Sequence, residues 1–292
     1  LKINKIEFNG NKSFSDTRLK MKMKSYELPI FFWSKGPRSI QDEIEKDMKM
    51  LLAFYREKGF AEVVIKHNLE KNDQASTIGI IINIDEGPRY RITFSGNHEF
   101  WTHTLKKDLI LSTKGNSNDF ELKKSLKNIK NRYQQAGYKD CTISYTAENK
   151  EEAGSRIRDI NIIIEENTRY LVRSSIIKGS ESTNEKELKK ELLTLEKAFL
   201  YDGPFVENKF ADDTKAIEHY YGNQGFVATK VTGDVIWDKK NEEKIVYGDV
   251  IFSVNQGYQK TITKVSFQGL PDQFEKDLRQ TIETRAGKPF VR

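Results

Sequence analysis

One short signature, Tyr-x-x-x-Gly-aromatic, occurs three times in this chain: at Tyr55, Gly59 and Phe60, at Tyr133, Gly137 and Tyr138, and at Tyr221, Gly225 and Phe226. The three glycines are 78 and then 88 residues apart. A period of that length exceeds a solenoid repeat and matches a small domain. Such a chain folds as a series of like modules, each with its own core, and what one module does is done several times.

A second landmark falls in the same register. Gly10, Gly96, Gly179 and Gly269 are each followed nine residues later by a leucine, namely Leu19, Leu105, Leu188 and Leu278. A strand-like apolar pair precedes each glycine: Ile6 and Phe8, Ile92 and Phe94, Ile176 and Ile177, Val265 and Phe267. The third copy carries Ser175 where the others have an aliphatic residue. The fourth stops at Arg292, ahead of its own Tyr-x-x-x-Gly, so the chain reads as part of something longer. The expected modules are 1–88, 89–168 and 169–258, with the start of a fourth at 259–292. Roughly 80 to 90 residues suffices for a small independent core.

Within a module the pattern reads β-α-α-β-β. A short strand ends at the first glycine, which in the first two copies is followed by Asn, a turn pair that favours positive φ. A first helix follows, with Ser15 or Asp16 as its cap in copy one and Thr183 or Asn184 in copy three. The second helix carries one apolar stripe at steps of 4, 3 and 4: Ile44, Met48, Leu51 and Tyr55, then Leu122, Leu126, Ile129 and Tyr133, then Phe210, Thr214, Ile217 and Tyr221. Ser39 with Asp42 resembles a capping box at its start. Gly59, Gly137 and Gly225 sit where a left-handed C-terminal cap is needed, and the aromatic after each drops back onto the helix end. Two strands close the module. The first alternates (Val63, Ile65, His67 and Leu69 against Val64, Lys66 and Asn68), as a strand covered on one face does. The second is nearly all aliphatic around 78–84, 157–164 and 250–254, which suits a central position. The fold class is α+β: tandem modules, each a three-stranded mixed sheet with two helices on one face. Links such as Glu86-Gly87-Pro88-Arg89-Tyr90, 166–170 and Gln256-Gly257-Tyr258 are short, which predicts a semi-rigid string with limited hinging.

Composition excludes several classes of function. The charge of +6 comes from 49 basic and 43 acidic residues that alternate along the chain, with no polybasic cluster, which argues against a nucleic-acid partner. Mean hydropathy is −0.68 and no apolar run reaches membrane-spanning length. Cys141 is the only cysteine, so neither a disulfide framework nor a thiolate metal cage can be built, and its alternation with Ile143 and Tyr145 predicts a buried inert thiol. His98 and His103 are wrongly spaced for a helical metal pair, His67 lies on an apolar strand face, and Glu218 with His219 reads as a solvated helix face. No phosphate loop and no nucleophile elbow is present, so no catalytic residue, cofactor, metal or small-molecule substrate is assigned.

The module size, the Gly-Asn turn, the Tyr-x-x-x-Gly-aromatic helix end and the Glu-Gly-Pro-x-Tyr link together resemble the POTRA (polypeptide-transport-associated) domain over the whole chain. Tandem copies are similar to the periplasmic part of BamA-like outer-membrane β-barrel assembly proteins. That resemblance implies a place on the periplasmic side of a Gram-negative outer membrane, ahead of a C-terminal β-barrel. It implies unfolded outer-membrane proteins and accessory lipoproteins as partners. A three-stranded sheet leaves two edges, and the strand after the glycine-aromatic pair is expected to be one, open to an extended client by β-augmentation. The candidate edges are 62–69, 140–146 and 227–235, centred on Val63, Val64, Ile65 and Lys66, on Thr142, Ile143 and Ser144, and on Thr229, Lys230 and Val231. Phe31, Phe32 and Trp33, between the two helices of copy one, form a candidate partner patch, with packing onto the protein as the competing reading. A periplasmic scaffold or cell-division protein holding stable partners, and an exported glycan- or lipid-binding repeat, remain as alternatives. The last predicts an aromatic patch in every copy, whereas the one at 31–33 occurs once.

Overall fold

The computed structural model describes residues 2–24, 37–72, 77–179, 185–238, 244–269 and 271–291. The patch at Phe31, Phe32 and Trp33 and the caps proposed at Thr183 and Asn184 lie outside them. The chain divides into two compact units, Leu1–Asn131 with Thr142–Glu165, and Arg132–Cys141 with Glu166–Arg292.

The first module contains β1 (Lys2–Asn9), α1 (Asp16–Lys20), α2 (Pro37–Glu57), β2 (Val64–Asn72) and β3 (Thr77–Asp85). The second contains β4 (Arg89–Ser95), α3 (Thr102–Lys106), α4 (Leu111–Lys114), α5 (Phe120–Gln135), β5 (Thr142–Glu152) and β6 (Ser155–Glu165). The third contains β7 (Arg169–Lys178), α6 (Glu185–Glu191), α7 (Glu207–Asn223), β8 (Lys230–Trp237) and β9 (Ile245–Asn255), and α8 (Asp272–Thr281) follows. The three sheets run β1-β3-β2, β4-β6-β5 and β7-β9-β8. In each, the last strand is central, parallel to the first and antiparallel to the second. The aliphatic strands therefore occupy the middle, as their composition predicts, because a strand flanked on both sides has least access to water.

Two repeated packing rules build each core. The stripe of the long helix buries Ile44, Leu51 and Tyr55, then Leu122, Ile129 and Tyr133, then Ile217 and Tyr221. Each large apolar side chain so placed contributes about 1.5–3 kcal/mol. The glycine cap has φ of +96°, +94° and +90° at Gly59, Gly137 and Gly225. It folds the next aromatic onto the stripe tyrosine edge-on, with ring centroids 5.7, 5.7 and 5.9 Å apart. The glycine after the first strand has a steric role as well. A Cβ at Gly10, Gly96 or Gly179 would lie 2.1, 2.1 or 2.3 Å from the carbonyl oxygen of Ile84, Ile164 or Val254, near the end of the central strand.

Some details depart from the sequence reading. Helix α2 begins at Pro37, so Ser39 lies inside its first turn and is not its cap. Ser15 is the cap of α1, accepting from the Arg18 N–H. The second module has three helices, because the turn before its long helix winds into α4, which lies against α2. Cys141 is buried, and its sulfur is in no disulfide.

Candidate functional site: strand edges and the joints beside them

Strands β2, β5 and β8 each lie at the edge of their sheet. Along them Val64, Lys66, Thr142, Ser144 and Lys230 are exposed, while Ile65, Ile143 and Val231 are half-buried beneath the helices. Val63 is buried one residue ahead of β2. Thr229 lies one residue ahead of β8, its hydroxyl hydrogen-bonded to the carbonyls of Phe226 and Gln256. Thr142 donates its hydroxyl to Glu165 at 2.7 Å.

The direction of the backbone matters more than exposure for an edge. The Val231 N–H points away from β9, since it donates to the Glu218 carboxylate at 3.0 Å. Ile65 and Ile143, each six residues after its glycine as Val231 is, hold the matching register positions opposite Ile84 and Ile164. Their main-chain groups therefore face outward, and the alternation of a strand turns those of Val64, Lys66 and Ser144 inward. Where the third module has Glu218, the first two have Leu52 and Lys130, which offer no acceptor. Glu218 is thus half-buried and bonded to the edge, not simply the solvated residue its place on the helix suggests.

The glycine cap does a second job that its sequence did not announce. Its carbonyl accepts the N–H of the residue that opens the next module: Tyr90 to Gly59, Tyr170 to Gly137 and Lys260 to Gly225, each at 2.8 Å. One residue earlier, a long side chain reaches a carbonyl at the preceding helix end. Arg89 Nε donates to Lys58, Arg169 Nε to Ala136 and Gln259 Nε2 to Gln224, at 3.2, 3.0 and 2.8 Å. These bonds satisfy carbonyls that a helix end otherwise leaves open. At the first joint the Tyr90 hydroxyl donates to Glu62 and accepts from Arg158 and Asn116, at 3.0 and 2.8 Å from the last two. Burial and the Glu62 bond push the Tyr90 phenol up to about 12. Arg158 also bridges Glu62 and Asp119. At the second joint burial, and then the neighbouring Asp140 carboxylate, raises the Tyr170 phenol too.

Two further repeated positions escaped the sequence reading. Twelve residues before each cap glycine stands a fully buried polar residue: Asp47, Ser125 and Asp213. Each holds the backbone of the preceding turn, Asp47 at the Lys24 N–H (2.7 Å), Ser125 at Ile110 (3.0 Å), and Asp213 at Leu193 and Thr194 (2.6 and 2.9 Å). The stripe tyrosine also has a partner, Glu86 for Tyr55 at 3.1 Å and Glu166 for Tyr133 at 2.9 Å. Burial first, and then the neighbouring carboxylate, raises both phenols well above the usual tyrosine range. In the third copy the matching residue is Gln256, and the Tyr221 hydroxyl is buried without a hydrogen bond among the described residues.

The outer sheet faces carry exposed ion pairs. Arg91 with Asp159 and Glu152, and Arg173 with Asp249 and Asp238, hold the Asp159 and Asp249 carboxyls at about 2 through their arginine hydrogen bonds. Among the described residues no group of three His, Cys, Asp or Glu side chains is placed to hold a metal, and no helix is long and apolar enough to cross a membrane.

Fold and site together define a tandem series of small α+β modules with exposed strand edges and a repeated joint. The family described as POTRA, surface antigen variable number repeat, matches residues 1–87, 90–167 and 170–257. The chain belongs to the POTRA family. A Treponema pallidum protein named for outer-membrane protein assembly is 26% identical over 197 residues, covering 67% of this chain and 23% of that protein. The outer membrane protein assembly factor BamA of Neisseria meningitidis is 25% identical over 240 residues, covering 80% of this chain and 29% of that protein. The chain thus spans less than a third of the length of these relatives. Among solved structures, Haemophilus influenzae BamA POTRA3-5 has 18% identity and a TM-score of 0.33, with 87% of this chain and 95% of that one covered.

Proposed function

We propose that these modules are the periplasmic polypeptide-docking part of an outer-membrane protein assembly factor, receiving unfolded β-barrel clients along β2, β5 and β8 by β-augmentation. The observation that carries the reading is that each sheet ends in a strand whose outward backbone no other strand covers among the described residues. Each added hydrogen bond contributes about 0.5–1.5 kcal/mol before ordering costs, so contacts are weak and short-lived. That suits handover and makes little demand on client sequence. The names of the relatives support the direction of the reading. Accessory lipoproteins and a C-terminal β-barrel beyond residue 292 belong to the same proposal. Photocrosslinking in intact cells from Lys66, Thr142 and Lys230 tests it. Recovery of nascent outer-membrane proteins supports docking, and recovery of stable subunits alone turns the reading to a scaffold.

A further inference from the structure

Between α6 and α7 the third module makes a short hairpin, where the second module winds into α4. The Ala198 N–H donates to the Tyr201 carbonyl at 2.7 Å and the Tyr201 N–H to the Ala198 carbonyl at 3.2 Å, so Phe199 and Leu200 alone form the turn. Both arms are fixed to β7. The Lys197 N–H donates to the Val172 carbonyl at 2.9 Å, the Val172 N–H to Gly203 at 2.6 Å and the Phe205 N–H to Tyr170 at 2.9 Å, with Pro204 opposite Leu171. The arms also close tightly on each other. Gly203 has a φ of +70°, and a Cβ there would lie 2.6 Å from the Lys197 nitrogen. The turn is thus presented on a base with little freedom to move.

What the turn displays is apolar. Phe199 is 99% exposed and Leu200 92%. Turn chemistry does not call for them, since two-residue hairpin turns favour Gly, Asn and Asp. The three charges that flank the pair are engaged within the module. Glu196 accepts the Ser175 N–H at 2.8 Å and pairs with Lys189 at 3.3 Å. The Lys197 ammonium donates to the Tyr247 hydroxyl at 2.9 Å, and Asp202 pairs with Arg169 at 3.2 Å. A protein pocket takes hydrogen bonds and charge from a polar rim, and here the flanking polar groups already have partners. What remains is a convex pair of large apolar side chains, which gains by transfer into an apolar medium and asks for no direction. That fits the boundary between lipid headgroups and acyl chains, where an amphipathic ring such as that of the adjacent Tyr201 also sits.

We propose that Phe199 and Leu200 are a membrane-contact tip, seated in the headgroup–acyl boundary of a bilayer beside the chain. The nearness of a bilayer rests on the reading of the chain as the periplasmic part of an outer-membrane assembly factor. Two side chains make a weak anchor on their own, as even one fatty acyl chain does. The tip therefore acts on a chain already held at the membrane, where tethering turns its contact into an intramolecular one. Its effect is to fix which side of the third module faces the lipid.

The test tethers the full chain by a C-terminal histidine tag to nickel-chelating lipid in a phosphatidylethanolamine–phosphatidylglycerol nanodisc. The acyl chains carry a spin label, and leucine methyls are followed by NMR. A tip seated about 5–10 Å into the boundary should broaden Leu200 roughly tenfold more than buried Leu51 and Leu122. Phe199→Ser, at an exposed position, should keep the other leucine shifts and remove the excess at Leu200. Leu200 no broader than the buried leucines overturns the proposal. Equal broadening in Phe199→Ser, which the tether alone would give, overturns it as well. A photocrosslink from residue 199 to a protein in intact cells, with Leu200 untouched by the spin label, assigns the tip to a protein pocket and also overturns it. The tether supplies the bilayer, so Leu200 reports on this inference alone. Loss of client crosslinks from Lys66, Thr142 and Lys230 would remove the docking reading and leave the lipid contact standing.

Discussion

The second and third modules share one plan and solve its polar problems differently. In the second, the stripe tyrosine Tyr133 has an acceptor in Glu166, the loop anchor is a neutral serine, and no other described segment pairs with the outer edge of β4. In the third, the Tyr221 hydroxyl has no hydrogen bond among the described residues, the anchor is a buried aspartate with two N–H donors, and both edges are partly occupied, β7 by residues 196–205 and β8 by Glu218. The difference teaches that the repeated frame is apolar and glycine-dependent, whereas the polar fittings vary from copy to copy. Among the described residues, variation in the fittings sets which strand edges carry hydrogen bonds beyond their own sheet.

The largest expected contrast lies at the anchors. Asp213→Ala strands two N–H groups that a carboxylate now serves, the buried one of Thr194 and the part-buried one of Leu193, and costs the third module about 2–4 kcal/mol. Ser125→Ala strands one and costs the second about 1 kcal/mol. Residue-resolved exchange in each module reads the two separately, and equal losses would erase the contrast. Next come the tyrosines. Tyr133→Phe costs about 1–2 kcal/mol, while Tyr221→Phe is neutral or slightly stabilising because it removes an unpaired hydroxyl. A Tyr221→Phe variant as damaged as Tyr133→Phe would show that Tyr221 has a partner in solution.

A smaller effect concerns pH at the first joint. A tyrosine in the unfolded chain titrates near 10, and Tyr90 in the fold at about 12. Below pH ~10 both states hold the proton and the contribution is complete. As pH rises from there toward 12 the unfolded chain releases its proton first, so stability of the first two modules falls. Alkaline denaturation of Tyr90→Phe should lack that component. Smallest of all is the acid response of Asp159 and Asp249. Their depressed carboxyls stabilise the fold above the unfolded value near 4 and lose that contribution as pH falls toward 2. Both pairs are exposed, so added salt should flatten the response.

The frame was legible in the sequence because periodicity carries it. Tyr55, Tyr133 and Tyr221 lie on one stripe, and a glycine in a cap position has few other reasons to recur. The aliphatic run around 78–84 announced a central strand for a similar reason. The anchors stayed hidden because Asp47, Ser125 and Asp213 sit in the stripe next to residues such as Met48, where a polar residue reads as the flank of a solvated face. Only their burial reveals them. The bond from Gly59 to Tyr90 joins residues 31 apart and involves no side chain, so composition holds no trace of it. The covered edge at Val172, and the edge at Ile92 with which no other described segment pairs, depend on whether one turn winds into α4, a choice made by local packing. Of the edge residues named from sequence, Ile65, Ile143 and Val231 occupy the positions whose backbone faces outward.

The most direct test mixes the full chain with a urea-denatured outer-membrane β-barrel protein, diluted below its folding concentration, and follows hydrogen exchange by mass spectrometry. Protection should appear in the peptides that contain β2 and β5, and more weakly β8, where Glu218 already holds the Val231 N–H, with little change in α2, α5 and the central strands. Protection centred on the helices, or none while the client is bound, would contradict docking by strand addition.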